Sequence, residues 1–147
     1  MPGITIRVSH TVSDRIPKDA GARLNAEMRA AIASSTRAMY AMSQANINKR
    51  TGRTAGTIGS SVRGGGSRAT GYVGSDDRIA TYLELGTRPH IIRPVRARAL
   101  YWPGAAHPVR QVNHPGTRPY RWLQRSGQSA GPVAKAQLRA AFASVFG

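Results

Sequence analysis

The sequence predicts an α+β domain, a mainly antiparallel sheet packed by one long N-terminal helix, with short C-terminal helices. Three observations carry that prediction. From Leu24 to Ala45 the apolar and small residues recur at alternating spacings of four and three, the stripe of a helix lying on a sheet. From Thr57 to Ser75 the period drops to two. Between Pro89 and Pro119 repeated prolines bar any helix of useful length, so the apolar pieces there must be extended. At 147 residues the chain has the length of a single domain, 1–147, with one core. Its parts are a long helix over about 19–48, a sheet with motif loops over about 54–118 and C-terminal helices over about 119–146.

Taken in order, Ile4, Ile6 and Val8 alternate with Thr5 and Arg7, as in a half-buried strand. Asp14 to Lys18 turns the chain, with Pro17 close to a helix start and Asp19 as the expected N-cap. Leu24, Met28, Ala31, Ser35, Ala38 and Met42 then form the buried stripe, which Ile32 and Met39 widen. Lys49 and Arg50 suit the negative pole of this helix, and Gly52 is expected to end it. A coiled-coil seam is the weaker reading, because the stripe is thin in Leu and Ile.

Two strands, Thr57–Val62 and Ala69–Ser75, flank Arg63-Gly-Gly-Gly-Ser-Arg68. Three glycines leading into a helix would suggest a phosphate cradle. These lead into a strand, so a hairpin tip with Arg63 and Arg68 at its base is expected. Asp76 to Glu84 fits a short helix with acidic residues at its start, stopped by Gly86, which is expected at positive φ or against another backbone. Ile91-Ile92, Ala99–Trp102 and Val109–Val112 are the extended segments, with Tyr101-Trp102 expected in the core. A short helix follows Pro119, and Pro132 is expected at the first position of another.

Charge is the outstanding bulk property: Lys plus Arg total 22 against six acids, a formal net charge of +16. Glu84 is the last acidic side chain, so every later formal charge is positive. Such a surface calls for a polyanionic or acidic neighbour. With no cysteine there are no disulfides or thiolate metal sites. No apolar run approaches the ~20 residues of a membrane helix, and the N-terminus lacks a secretory h-region, so a cytoplasmically made protein with no membrane partner is expected.

No catalytic set stands out, and we expect neither enzyme activity nor a cofactor. His10, His90, His107 and His114 show no zinc spacing; His107 and His114 sit in proline corners, where bonding to the turn is favoured over a shared metal. Glu84 is expected to pair with Arg88 or Arg93.

The stretch from Tyr82 to Pro119 is the most distinctive. Gly-Thr-Arg-Pro occurs twice, at Gly86–Pro89 and Gly116–Pro119, each pairing a permissive glycine with a φ-locking proline. Around these corners stand Tyr82-Leu-Glu-Leu-Gly-Thr, His90-Ile-Ile-Arg-Pro, Ala99-Leu-Tyr-Trp and His114-Pro-Gly-Thr. Upstream lie Thr51-Gly-Arg-Thr and Ile58-Gly-Ser-Ser-Val. In their order, over Thr51 to Leu123, these resemble the neck and tail-completion proteins of long-tailed phages, minor tail components similar in role to lambda's tail protein Z. Thr54-Ala55 departs from that pattern, which has a leucine there.

The resemblance implies a non-enzymatic virion protein of the neck, assembled in the host cytoplasm, that forms a ring joining head connector to tail. The ring is expected to be six-fold, with twelve the alternative, between head-completion or connector proteins and tail-terminator or tail-tube proteins. It points to Glu84, Gly86, Thr87, Arg88, Pro89, His90, His114, Pro115, Gly116 and Thr117 as the assembly motif. Candidate contacts to genome DNA or acidic partners are Arg63, Arg68, Arg93, Arg96, Arg98, Arg110, Arg118, Arg121 and Arg125. The alternative is a free nucleic-acid-binding protein using the arginine-rich surface. Against it, no aromatic platform is interleaved with basic residues and no recognition helix carries a basic stripe.

Overall fold

A computed structural model describes residues 3–11, 17–65 and 67–147. Two long helices and a three-stranded antiparallel sheet form the body, from which a short two-stranded ribbon projects. Strand β1 (Ile4–Thr11) and strand β2 (Ile58–Arg63) flank the central β3 (Arg68–Ser75). Register places Ile6 and Ser60 opposite Val73, and Arg7 and Ser61 opposite Tyr72. The hairpin expected between β2 and β3 is present; Gly64 turns at φ 96°, and Arg29 donates from its guanidinium to the Gly64 carbonyl. Gly66 lies outside the described residues.

Helix α1 (Lys18–Asn46) crosses one face of this sheet. Its buried side is Leu24, Ala31, Ile32, Ser35, Thr36, Met39 and Ser43. Of the expected stripe, Met28, Ala38 and Met42 are only half-buried, and the buried face takes in the small polar Thr36 and Ser43 instead. Those small residues let neighbours come close. A Cβ at Gly71 of β3 would fall on Thr36 Oγ1 and lie 3.5 Å from Ile32 Cγ2, so helix and strand meet where the strand has no side chain.

Both ends of α1 differ from expectation. Pro17, not Asp19, holds the N-cap position, and no side chain caps it; Asp19 lies in the first turn. The turn expected at Asp14–Lys18 falls mostly outside the described residues. The helix ends at Asn46, where extended Ile47 dives into the core, so Lys49, Arg50 and Gly52 come too late to terminate it. Burying Ile47 outweighs continuing a polar helix by another turn. Gly52, at φ 78°, instead opens the single-turn α2 (Arg53–Gly56).

The C-terminus also differs from expectation. Trp122–Phe146 is one continuous helix, α4, with Pro132 inside it rather than at the start of a separate one. Proline removes one backbone hydrogen bond and crowds the preceding turn. Pro132 does so on the exposed side, while Ala130, Ala134 and Ala141 on the buried side belong to the packing of α4 against α1. Packing on a common partner keeps both halves in line. Ser35 donates to Gln137 Oε1 at 2.7 Å and Gln137 donates back to Ser34 Oγ at 2.9 Å, tying the two helices.

Helix α3 (Arg78–Leu85) begins as its acidic start suggests, with Asp77 Oδ1 accepting from Ile79 N at 3.1 Å. The core gathers Met39, Ile47, Ile58, Val73, Ala80, Trp122 and Leu123. Trp122 is fully buried and donates from Nε1 to Ala80 O at 2.9 Å. Tyr101 and Trp102, expected in the core, are 68% and 47% exposed, so the core aromatic is the other tryptophan.

Glu84 also departs from expectation. It pairs with neither Arg88 nor Arg93; its Oε2 accepts from Leu123 N at 2.7 Å and its Oε1 from Gln124 N at 3.0 Å. A buried carboxylate of α3 thus caps α4, whose own N-cap residue, Arg121, offers no capping side chain and sits at φ 55°. Glu84→Ala would orphan two amides beside the core, and a loss of about 2–3 kcal/mol is expected in chemical denaturation. Glu84→Gln, which keeps one acceptor, should fall between that variant and the native protein.

Candidate functional site

The two Gly-Thr-Arg-Pro corners meet, and each is the other's partner. Thr87 N donates to Thr117 O at 2.9 Å and Thr117 N donates to Thr87 O at 3.1 Å, an isolated antiparallel bridge. Thr87 Oγ1 accepts a further bond from Thr117 N at 3.0 Å. The glycines are reciprocal as well. Gly86 has φ 74° and Gly116 φ 86°. A Cβ on Gly86 would strike Thr117 O and lie 2.9 Å from the Pro119 ring; one on Gly116 would strike Thr87 O and lie 3.0 Å from Pro89 N. Both positions therefore require glycine twice over, for backbone conformation and for close approach. The chain doubles back on itself through a local near-two-fold clasp.

From the clasp runs the two-stranded ribbon, β4 (His90–Ile92) paired with β5 (Val112–His114). His90 and His114 stand opposite one another with ring centroids 5.0 Å apart. Their backbone partners set opposite tautomers. His90 Nδ1 lies 2.8 Å from Arg88 O, a carbonyl that can only accept, so this nitrogen carries its proton. His114 Nδ1 accepts from Gly116 N at 3.0 Å, so it does not. Each histidine fixes the turn of its own corner. Among the described residues no group of three or more His, Cys, Asp or Glu gathers to hold a metal.

Beyond the ribbon, Leu100 and Val109 form another antiparallel bridge, which carries the doubled chain outward as an arm over residues 93–111. The Arg93 guanidinium donates to Gln111 Oε1 across its base. Val95 is 96% exposed, and Tyr101 and Trp102 face solvent with it. At the other end, a groove of about 610 Å³ runs between α3 and the clasp, lined by Ile79, Tyr82, Leu83, Arg88, His90 and His114 among others. Exposed Ile79, Tyr82, Leu85 and Ile91 supply apolar surface at this end of the molecule.

Gly86, Thr87, Arg88, Pro89, His90, His114, Pro115, Gly116 and Thr117 are thus brought together, and Glu84 braces them from below as an internal cap. The candidate arginines divide. Arg93, Arg96, Arg98 and Arg110 are exposed on the arm. Arg118, Arg121 and Arg125 are exposed around the start of α4, where Arg125 lies over the Tyr120 ring at 4.3 Å from its centroid. Arg63 and Arg68 belong to the sheet.

Sequence reasoning saw two separate corners and missed that they pair. The repeated tetrapeptide was the available signal, since identical turns placed antiparallel can satisfy each other's backbone. It also missed the exposed arm aromatics and Val95. Compared with known proteins, the chain matches no family model, no curated protein and no solved structure.

Gly86→Val forces a β-branched residue into a left-handed conformation against a carbonyl. A cost of about 1 kcal/mol or more is expected. The loss should be local: hydrogen exchange should quicken at the Thr87 and Thr117 amides while the α1 and α4 amides keep their protection.

Proposed function

We propose that this chain is a structural, non-enzymatic component of a phage neck, forming a ring that joins the head connector to the tail. The observation that carries the reading is the clasp. It holds a projecting arm with exposed Val95, Tyr101 and Trp102 on one side and an apolar groove on the other. Large exposed apolar side chains on a braced element are what an assembling surface requires. Bridged corners with fixed glycine and proline geometry lose little conformational freedom on binding. The motif order across Thr51 to Leu123, with its likeness to neck and tail-completion proteins, supplies the identity of the assembly. Copies of the chain pack side by side, and the faces of the ring meet connector and tail-tube proteins.

The charge sets a condition on this ring. Six copies of a chain with net charge +16 repel one another unless anions intervene, either genome DNA in the channel or acidic faces of the adjacent rings. Size-exclusion chromatography and negative-stain microscopy across ionic strength test the reading. Rings should be scarce for pure protein at low salt and increase with salt or with neighbouring neck proteins. A chain that stays monomeric under all these conditions, partners included, overturns it. Free nucleic-acid binding is the second reading, favoured by the same excess of arginine, and microscopy of an assembled particle separates the two.

The two tryptophans provide a control within one chain. Trp102→Ala should leave stability within about 0.5 kcal/mol and abolish or weaken ring formation. Trp122→Ala should cost about 3–5 kcal/mol and reduce the folded population itself. Thermal melts paired with microscopy of each variant check both outcomes.

A further inference from the structure

The three-stranded sheet has two unlike faces. One is covered by α1, against which Val73, Gly71 and Ala69 are buried. On the other, the register lines up Arg7, Tyr72 and Ser61 in one row and Ser9, Thr70 and Arg63 in the next. Thr5, Gly74 and Gly59 form a third row. Among the described residues of this face there is no aliphatic side chain.

Tyr72 is its centre. The guanidinium carbons of Arg7 and Arg63 both lie 5.5 Å from the centroid of its ring, one arginine from each neighbouring strand. A ring face attracts a guanidinium and leaves its N–H donors pointing along the edges, available to an anion. Beside this trio is a shallow polar depression of about 340 Å³, lined by Thr5, Thr57, Ser60, Ser61 and the glycines 59 and 74, with Asp76 also on its lining. Arg68 extends the same face where β3 begins, opposite Thr11.

We propose that this outer sheet face binds the phosphodiester backbone of nucleic acid, with Arg7 and Arg63 gripping phosphates and Tyr72 holding both guanidiniums in place. Three features select that ligand. The face offers paired cations and hydroxyl donors, which complement consecutive phosphates. It lacks the apolar anchors on which protein partners depend, whereas nucleic-acid interfaces are polar and strongly positive. Glycines at 59 and 74 keep the depression shallow, so a backbone can approach the sheet itself. Because the ring already holds two guanidiniums, it supports charge rather than stacking bases, and binding is indifferent to sequence. The site is complete in one copy of the chain and does not rest on ring formation.

Fluorescence anisotropy with a short labelled duplex, its single strand and poly-glutamate, over a series of salt concentrations, tests this. The native chain should bind both nucleic acids without sequence preference and poly-glutamate more weakly. Arg7→Ala/Arg63→Ala should weaken DNA binding by about tenfold or more and lower the slope of log affinity against log salt by about 2, one counterion release per lost phosphate contact. Arg96→Ala/Arg98→Ala removes the same charge from the arm and should leave most of the affinity. Tyr72→Ala, with no change in charge, should also weaken binding, and melting curves report whether each variant is folded. Equal losses from the arm and sheet pairs would show that net charge alone binds DNA and would overturn the assignment. Poly-glutamate binding as tight as DNA, with the same response to the sheet pair, would overturn it in favour of an acidic protein surface.

Discussion

The carboxylate of Glu84 at the head of α4 is the contact on which the distinctive half of the molecule depends. Burying a carboxylate is costly unless its oxygens are taken. Here each accepts a backbone amide, and the aligned peptide dipoles of a 25-residue helix face the same charge. Glu84 is 6% exposed and is the one buried carboxylate among the described residues. Its position joins the last turn of α3 to the first of α4. Residues 86–121 leave the body at one end of that join and return at the other. Tyr120 N donating to Leu83 O at 2.8 Å and Trp122 Nε1 donating to Ala80 O reinforce it. With both ends stapled, the entropy of closing the long excursion is met at its base.

That staple makes a tight clasp possible. Two corners that approach until each glycine faces the other's threonine carbonyl leave no room for side chains, so the repeat has glycine at both places. The corner threonines complete a two-bond bridge, and the histidines beyond them turn their ring nitrogens back to the local backbone. Backbone polar groups that would be lost in a free loop are thus satisfied within the motif. Rigidity is gained without burying the arm. The arm keeps Val95, Tyr101 and Trp102 exposed.

Much of this was legible because it is locally encoded. The buried Leu24, Ile32 and Met39 of α1, the β2–β3 hairpin, the acidic start of α3 and the positive φ of Gly86 each follow from residues within a turn or two. The failures share the opposite property. A proline rule broke α4 at Pro132, yet packing against α1 carried the helix through. Hydrophobicity placed Tyr101-Trp102 inside, though nothing local distinguishes a buried Trp122 from an exposed Trp102. Glu84 looked like a partner for nearby arginines, while its amide partners lie about forty positions along the chain. No single segment brings together the aromatic and the two arginines of the sheet face. The structure assembles Arg7, Tyr72 and Arg63 from three strands, which only register reveals.

The division of the arginines follows from the same economy of acids. With six carboxylates in the chain, and one of those among the described residues spent inside, the cationic side chains cannot be neutralised internally. The protein meets this in two ways. On the arm and around the start of α4 the arginines stand beside apolar groups, Val95, Trp102 and Tyr120, a mixture suited to a partner that offers both acid and hydrophobic surface. On the sheet they stand among hydroxyls and glycine with no aliphatic neighbour, a composition suited to phosphate. One excess of charge thereby serves two chemically distinct surfaces. The proposed neck component would have use for both, holding protein rings together while the genome passes through them.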